Sequence, residues 1–373
     1  MKKRLNIENP LYDGNASASA FGWQFQVDAA IFLFLYYIDE IEEIVVEGKY
    51  QDIELLCKNN RHIYAQAKSV QNGSLDNRSK KMEDAIISLA KTSADISQGD
   101  SLIYVSNYEA PIKRKDIFKN KVVKLKNVAD ERKEFQTQIQ RIIEKLTDVI
   151  AKEKTSKKAK YEELLARVKE IDVDAFMVGT IYPYVNGEDR YDIFCEIENK
   201  INEVLTIKFD IHSQYLQKFV RRILLEWHQT FLVDATMPVD KRHKKMAKEE
   251  LLWQIVAILS EAEIDISDLF DIELDSDNID EYEKYYSQKS YYHERFSFFN
   301  KLMDDLKQFQ KRNKGKTKND FIREHWKDYI DEYAEFDEYK DLAREYLIKK
   351  CLCRLINHKN NIQKIVERSQ KCE

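Results

Sequence analysis

The stretch that decides the fold is RHIYAQAKS, residues 61–69. Apolar and polar side chains alternate along it, which is the pattern of a β-strand with one polar face. Residues two apart in a strand share a face, so Gln66 and Lys68 point to the same side. The preceding segment YQDIELLC, residues 50–57, also has strand character, and the asparagine turn after it predicts a hairpin. In that hairpin Asp52 lies close to both Gln66 and Lys68.

The segments on either side of this hairpin complete a compact α/β unit. An apolar helix precedes it from about Phe21 to Ile41, and the short strand EIVVEG follows that helix. An amphipathic helix and the buried strand SLIYVSN come after the hairpin, with Gly99 between them. The expected order is therefore helix, three strands, helix and strand, an αβββαβ core of the α/β class.

Beyond this core the apolar spacing is mostly helical. It predicts helices through residues 135–150, from about Tyr161, over about 189–205 and 211–233, and along KEELLWQIVAIL. The segment DAFMVGTIYPYV, residues 174–185, is expected to be another apolar strand or buried loop. Near the C-terminus, apolar and aromatic residues within 322–333 mark one long helix, and those within 342–355 mark the next.

Composition shifts along the chain indicate three regions. We expect an N-terminal arm at residues 1–15, an α/β domain with helical additions at 16–260, and a helical interaction or regulatory domain at 261–373. The last boundary is placed at the acidic segment 261–283, which contains no basic residue.

The charge and cysteine content narrow the class of protein. A net charge of −5 argues against a basic nucleic-acid coat protein. The five cysteines are irregularly spaced and do not form a disulfide framework. Cys351 and Cys353 lie in an apolar helical run, where core packing is favoured over a metal pair. The longest apolar run, Ala29–Ile38, is too short to cross a bilayer, and no signal-peptide pattern is present. We therefore expect a cytoplasmic protein without membrane contact.

The polar groups of the predicted hairpin suit a divalent cation. Mg²⁺ prefers oxygen ligands and keeps several water molecules. Asp52 and, across the Gly48 turn, Glu47 supply carboxylates, while Gln66 supplies a neutral oxygen. Lys68 would orient an attacking water molecule and neutralise developing charge. Glu54 shares a strand face with Asp52 and is a competing ligand, and Mn²⁺ is an alternative metal.

Asp52 followed by Gln66-Ala67-Lys68 resembles the PD-(D/E)xK nuclease superfamily, in the variant where glutamine replaces the second acid. The resemblance implies a restriction-endonuclease-like fold and Mg-dependent hydrolysis of double-stranded DNA. The segment GWQFQ, residues 22–26, adds a Gly-x-x-aromatic-Gln start to the first helix. Together with Glu47, it is similar to the endonuclease domain of CD-NTase-associated effectors of bacterial antiphage defence. Gln26 is then expected either to hydrogen-bond near the site or only to cap the sheet.

The helical tail resembles the nuclease subunit of Lamassu-type defence systems more than a cyclic-oligonucleotide sensor domain. That resemblance implies an SMC-like ATPase partner and a small accessory protein. A cytoplasmic nuclease with little sequence specificity endangers its host. We therefore expect its activity to be held in check by partners or by the C-terminal domain, with release on assembly into a homo-oligomer.

The segment PIKRKDIFKNKVVKLK, residues 111–126, is strongly basic and contains a single acid. It is expected to follow DNA phosphates without reading bases. The DNA-binding residues expected there are Lys113, Arg114, Lys115 and Lys119. Solvated charge is an equally good interpretation of the run taken alone.

Two other classes of function stay open. The chain is alternatively a catalytically degenerate nuclease fold that serves as a scaffold in a defence complex, with Lys68 as a surface lysine and Asp52 as a turn residue. RLINH, residues 354–358, is weakly similar to the Arg-x(4–6)-His motif of helical HEPN ribonucleases. It has only three intervening residues, so an RNase centred on His358 is the less favoured alternative.

Overall fold

The chain is a mixed α/β protein, shown here by a computed structural model. The structure describes residues 17–69, 75–93, 97, 99–108, 115–181, 191–212, 216–235, 245–260, 270, 296–336 and 341–370. The described residues divide into two compact units. The first takes its residues from 1–33, 45–197 and 231–244, and the second from 34–44, 198–230 and 245–373.

Five strands that lie wholly in the first unit are paired side by side and include the hairpin. They are β2 (Ile53–Cys57), β3 (Arg61–Lys68), β4 (Ser101–Ser106), β5 (Lys121–Lys124) and β6 (Phe176–Thr180). Their spatial order is β5-β6-β4-β3-β2. The β2–β3 and β5–β6 pairs are antiparallel, whereas β3–β4 and β4–β6 are parallel. The hairpin therefore forms one side of this set of strands, and parallel strands continue from it.

The β2–β3 hairpin is present as predicted. Ile53 pairs with Ala65 and Cys57 with Arg61. Asn59 and Asn60 in the connecting turn have φ angles of 62° and 56°, the left-handed region that asparagine adopts more readily than most residues. The asparagines therefore make the tight reversal that sets the pairing register.

Helices cover one face of these strands. They are α2 (Leu75–Ser93), α3 (Ala129–Lys152) and α4 (Lys157–Lys169). Met82, Ile86, Leu89 and Ala90 of α2 are all buried against Tyr64 of β3 and the α3 and α4 side chains. The amphipathic character predicted for this helix is thus confirmed at these four residues.

The first helix is shorter at its C-terminal end than the sequence suggested. α1 runs Ser17–Tyr36, and β1 runs Ile41–Val46. The backbone N–H groups of Glu40 and Ile41 both donate to the Tyr37 carbonyl, which makes a turn in place of further helix. The predicted end at Ile41 is wrong because that residue is the first of β1, where it is buried.

The basic segment contains a strand that the sequence reading missed. Residues Lys115–Phe118 form a 3₁₀ turn, and Lys121–Lys124 form β5, antiparallel to β6. Gly179 of β6 allows this close pairing, because an added Cβ would stand 3.0 Å from the Lys121 carbonyl oxygen. High lysine content concealed the strand, since Val122 and Val123 are its only apolar residues.

The second unit is mainly helical. Its elements are α5 (Tyr191–Glu203), α6 (Leu216–Ala235), β7 (Met246–Ala247), α7 (Lys248–Ser260), α8 (Phe296–Arg312), α9 (Lys318–His325), α10 (Asp341–Asn357) and α11 (Lys359–Gln370), although α5 and α6 begin or end in the first. β7 pairs antiparallel with β1. Val204–Lys208 form one π-helical turn. No helix among the described residues is long and apolar enough to cross a membrane.

The long helix expected over residues 322–333 is divided. α9 ends at His325, and Trp326–Phe336 continue as a 3₁₀ segment with a non-helical residue, Tyr333. Tyr329 and Tyr333 are both buried and pack edge-on against Phe298 of α8. The predicted single helix is therefore wrong beyond His325. Cys351 and Cys353 are buried and form no disulfide within the described ranges, as core packing predicts.

The two compact units do not coincide with the domains that the sequence predicts. Residues 34–44, 198–230 and 245–260 cluster with the C-terminal residues. The expected boundary at 260/261 and the N-terminal arm at 1–15 fall outside the described residues, so those two expectations stay predictions.

We expect Asp100→Ala to lower the free energy of unfolding by about 2 kcal/mol, measured by urea denaturation. Asp100 is buried, and its carboxylate accepts from the backbone N–H groups of His62 at 2.7 Å and Ser97 at 2.8 Å. Its removal leaves both donors without their acceptor. Asp84→Ala, at an exposed position of α2, should change stability by less than about 0.5 kcal/mol. Equal losses in the two variants would contradict this role.

Candidate active site

The polar groups predicted to meet at the hairpin do converge on Asp52. The Gln66 amide nitrogen hydrogen-bonds Asp52 Oδ2. The backbone N–H of Ala67 donates to the same oxygen at 3.1 Å, and Lys68 Nζ lies 3.5 Å from it. The three donors come from consecutive residues of β3, so the strand presents them to one carboxylate. Asp52, Gln66 and Lys68 therefore form one cluster; their chemical roles remain predictions.

Strand register explains why Asp52 is placed there. β2 begins at Ile53, and Asp52 is the residue before it, opposite Gln66 when the Ile53–Ala65 pairing is extended by one position. Directly opposed residues of an antiparallel pair share a face. A shift of one residue in this register would turn Asp52 to the other side of the sheet.

Gln51 anchors the residue before Asp52 and was missed in the sequence reading. Its side-chain nitrogen donates to the Ser88 carbonyl at 3.0 Å and to the Thr92 hydroxyl at 2.6 Å, both on α2. The Ser88 hydroxyl donates back to the Gln51 side-chain oxygen at 3.3 Å. The buried Gln51 amide thus ties the loop before β2 to the last turns of α2 and limits how far Asp52 can move.

Gln26 of α1 completes the cluster. Its side chain hydrogen-bonds the Asp52 carboxylate. Gly22, one turn earlier, lies beside the end of β3, since an added Cβ would be 3.9 Å from Ser69 Oγ. The Gln26 side-chain oxygen is buried and has no hydrogen-bond partner among the described residues. Of the two interpretations offered for Gln26, contact with the site is the one observed.

The two glutamates considered as second acids have different surroundings. Glu47 adopts a left-handed backbone conformation with φ 55°, and its N–H donates to the Asp52 carbonyl at 2.7 Å. Its main chain is therefore beside Asp52. The Glu54 carboxylate accepts from the backbone N–H groups of Tyr50 and, at 3.1 Å, Gln51. Glu54 thus stabilises the turn before β2, and these hydrogen bonds account for the position of its carboxylate without a metal ion.

Burial dominates the electrostatics of Asp52. Desolvation raises the pKa of its carboxyl above the ordinary value of 3.8. The charge of Lys68 and the hydrogen bonds from Ala67 and Gln26 oppose that rise in part. The side chain of Asp52 keeps 16% of its exposure and that of Lys68 25%, so the cluster opens to solvent on one side. An ionised carboxylate here is under-solvated and gains from a further cation.

The donor set fits a hard cation that keeps much of its water. Asp52 offers a carboxylate, Gln26 offers a buried amide oxygen without a partner, and Gln66 offers a second amide. Mg²⁺ is commonly held by one or two carboxylates plus water. Within the described ranges, no three His, Cys, Asp or Glu side chains cluster to hold a metal. A site here therefore depends on amide oxygens as well as the acid.

Two of the four expected DNA-binding residues lie outside the described residues. Lys113 and Arg114 lie outside the described residues, and for Lys115 the structure gives only its place in the 3₁₀ turn. Lys119 is exposed and forms a backbone bridge to Thr180 of β6. Their role in DNA binding stays a prediction.

The residues of the HEPN-like motif belong to the second unit. Arg354 of α10 is buried, and His358 follows that helix with its N–H donating to the Arg354 carbonyl at 3.1 Å. Burial and the Arg354 charge lower the pKa of His358 below its ordinary value. A buried arginine is poorly placed to meet an RNA phosphate, so the pair is better explained as part of the helical core.

Comparison with known proteins gives little further guidance. No family model matches the chain, and no curated protein does. Among solved structures, the chain is similar to the Cap4 SAVED/CARF-domain containing receptor of Moraxella osloensis, at 15% identity and a TM-score of 0.34. It is also similar to that of Acinetobacter baumannii, at 13% identity and a TM-score of 0.33. Each alignment covers 73% of this chain but 61% of the receptor. Similarity at this level defines no function, and the chain spans less than two thirds of those receptors.

Asp52→Asn should stabilise the protein at neutral pH by about 1 kcal/mol. The raised pKa means that ionising Asp52 costs more in the folded than in the unfolded chain. That cost is absent below the ordinary pKa of 3.8 and is fully present above the raised folded value. The gain should therefore shrink as the pH is lowered toward 3.8, which urea denaturation across a pH series would measure.

The matched control for this measurement is Asp84→Asn, which removes an exposed carboxylate from the same unit. It should leave stability within about 0.5 kcal/mol at every pH. A destabilised Asp52→Asn variant at neutral pH would show that the ion pair with Lys68 outweighs desolvation.

Proposed function

We propose that this chain is a metal-dependent endonuclease that hydrolyses DNA phosphodiester bonds, with Mg²⁺ or Mn²⁺ as its cofactor. The observation that supports the proposal most directly is the convergence of Gln66, Ala67 and Lys68 on one oxygen of Asp52, beside the buried oxygen of Gln26. These residues belong to the Asp and Gln-x-Lys motif that resembles the PD-(D/E)xK superfamily.

Each side chain has a distinct task in this proposal. The Asp52 carboxylate and the amide oxygens of Gln26 and Gln66 would hold the cation, which when bound activates a water molecule and stabilises charge on the phosphoryl group. Lys68 keeps its ammonium group next to Asp52 and would orient the attacking water. Because the cluster is largely buried, the charge of Lys68 acts more strongly there than in bulk water.

The amide of Gln51 serves as the positioning group. It does not touch Asp52 through its side chain but fixes the adjacent main chain to α2. Glu47 is kept in the proposal as the second acid, since its main chain adjoins Asp52. Cleavage needs no base recognition, so Lys113, Arg114, Lys115 and Lys119 would hold the duplex by its phosphates.

The biological setting that we propose follows from the sequence resemblance. The chain would act as an effector of bacterial antiphage defence, restrained by its C-terminal residues or by partners and activated on homo-oligomer assembly. An SMC-like ATPase and a small accessory protein are the partners that the Lamassu-like tail suggests.

Lys68→Ala and Asp52→Ala should each lower plasmid cleavage in Mg²⁺ or Mn²⁺ by about 100-fold or more. The first removes the group that orients water, and the second removes the charged metal ligand. The measurement is the rate at which supercoiled plasmid is nicked and linearised by the full chain. Lys81→Ala, which alters an exposed lysine of α2, should cut at the wild-type rate. Measurable cleavage by Lys81→Ala, with both cluster variants cutting at the same rate, would refute the assignment.

A catalytically degenerate scaffold is the second candidate, and one observation favours it. Among the described residues, Asp52 is the one acid whose carboxylate is shown in the cluster, and no cluster of three metal-binding acids, histidines or cysteines occurs there. A scaffold would keep the fold without needing a cation.

Calorimetric titration with Mn²⁺ separates these two functions. The endonuclease proposal expects binding to the wild type and a loss of about tenfold or more in affinity in Asp52→Ala. Asp84→Asn should bind Mn²⁺ like the wild type, since that carboxylate lies on the exposed side of α2. Absence of Mn²⁺ binding to the wild type would favour the scaffold.

A further inference from the structure

A second polar feature of the first unit lies away from Asp52, in a cleft of about 560 Å³ between α2 and α4. We call it the α2–α4 cleft. Its lining is four basic side chains, one acid and two apolar residues: Lys91, Lys157, Lys160, Arg167, Glu163, Tyr161 and Leu164. Nothing in the proposed cleavage mechanism uses this set.

The helical period gathers these residues on one face of α4. Lys157, Lys160, Tyr161, Leu164 and Arg167 follow spacings of three and four residues, which bring side chains onto one side of a helix. Lys91 in the last turn of α2 faces them across the cleft. The cleft therefore has basic groups on both of its walls.

Arg167 of α4 connects the two helices that line the cleft. Its guanidinium donates to the Lys91 carbonyl, one of the unpaired carbonyls at the end of α2, and pairs with Glu163 at 2.8 Å. The only acid of the lining is thereby neutralised. Lys91, Lys157 and Lys160 are exposed and form no ion pair within the part of the chain that the structure describes.

The floor of the cleft is apolar and includes an aromatic ring. Tyr161 and Leu164 are half-buried and pack against the core beneath α2, α3 and α4. A half-buried aromatic residue beside exposed lysines matches a ligand that has a flat base and a phosphate, because bases stack on aromatic side chains and phosphates pair with lysines.

We propose that the α2–α4 cleft binds single-stranded DNA, with a base on Tyr161 and the flanking phosphates on Lys91, Lys157 and Lys160. A volume of about 560 Å³ accommodates one or two nucleotides and is too small for a duplex, whose bases are in any case covered by stacking. Arg167 pairs with one oxygen of Glu163, and no other acid lines the cleft to repel the phosphates. The site goes beyond the proposed cleavage function and does not depend on it.

The test is fluorescence anisotropy of a labelled oligothymidine of about 16 nucleotides with the full chain in EDTA, where metal-dependent cutting is absent. The double variant Lys157→Glu/Lys160→Glu should raise Kd about tenfold or more. It should also reduce the slope of log Kd against log salt by about 1.4, since each phosphate contact in a single strand contributes about 0.7.

The matched control is Lys158→Glu/Lys169→Glu, which makes the same change of charge at exposed positions of α4 outside the cleft. It should leave Kd within about twofold and the salt slope unchanged. An equal loss in both double variants would overturn the proposal, because binding would then depend on overall charge rather than on the cleft.

The role of Tyr161 is tested with an abasic strand of the same length. The wild type should bind oligothymidine about tenfold more tightly than the abasic strand, and Tyr161→Leu should remove that difference. An undiminished difference in Tyr161→Leu, or tighter binding of the matched duplex or of oligouridine than of oligothymidine, would overturn the assignment. Oligothymidine binding by the wild type in EDTA, without calorimetric binding of Mn²⁺, would refute only the nuclease. Mn²⁺ binding that Asp52→Ala weakens, without oligothymidine binding, would refute only the cleft.

Discussion

The largely buried carboxylate of Asp52 is the constraint on which the candidate site depends. Three consecutive donors of β3 meet one of its oxygens, which requires the hairpin register to be correct to a single residue. Burial still leaves the carboxylate short of solvation, as its raised pKa indicates. Ionising this carboxyl is therefore less favourable in the folded chain than in the unfolded chain. Perturbed pKa values of this kind cluster at functional sites.

The hydrogen-bonding groups around Asp52 leave a place that suits a cation. Three of its donors come from β3 and one from Gln26 of α1, whose side-chain oxygen has no hydrogen-bond partner among the described residues. A buried polar atom without a partner costs about 1–3 kcal/mol, and a bound cation would remove that cost. The same ion would offset the charge of Asp52. One added group thus accounts for both unfavourable features of the cluster.

The sequence was sufficient for those parts of the site that follow from local periodicity. Alternation in residues 61–69 and an asparagine turn place Gln66 and Lys68 beside Asp52 without any knowledge of the rest of the chain. The Gln51 anchor could not be found in this way, because its partners on α2 lie 37 and 41 residues away. Contacts between a loop and a helix depend on how the helices pack on the sheet. Neither the charge pattern nor the hydrophobic periodicity of the sequence predicts that packing. β5 was missed for a related reason: pairing with β6, rather than its own apolar content, makes it a strand.

Lys68 and the lysines of the α2–α4 cleft lie in different environments. The difference suits two different interactions with phosphate. Lys68 keeps a quarter of its exposure and is paired with a carboxylate, so its charge is fixed in position. Lys157 and Lys160 are exposed on a helix face, where each contributes attraction without a fixed geometry. Fixed charge suits a reacting phosphate, because the donor is already oriented before the reaction begins. An exposed lysine suits a nucleic-acid strand that is held by its phosphates. Affinity then comes from counterion release and does not require one fixed binding geometry. The two proposals therefore place the holding of a nucleic acid and the reaction on it at separate sites of one α/β unit.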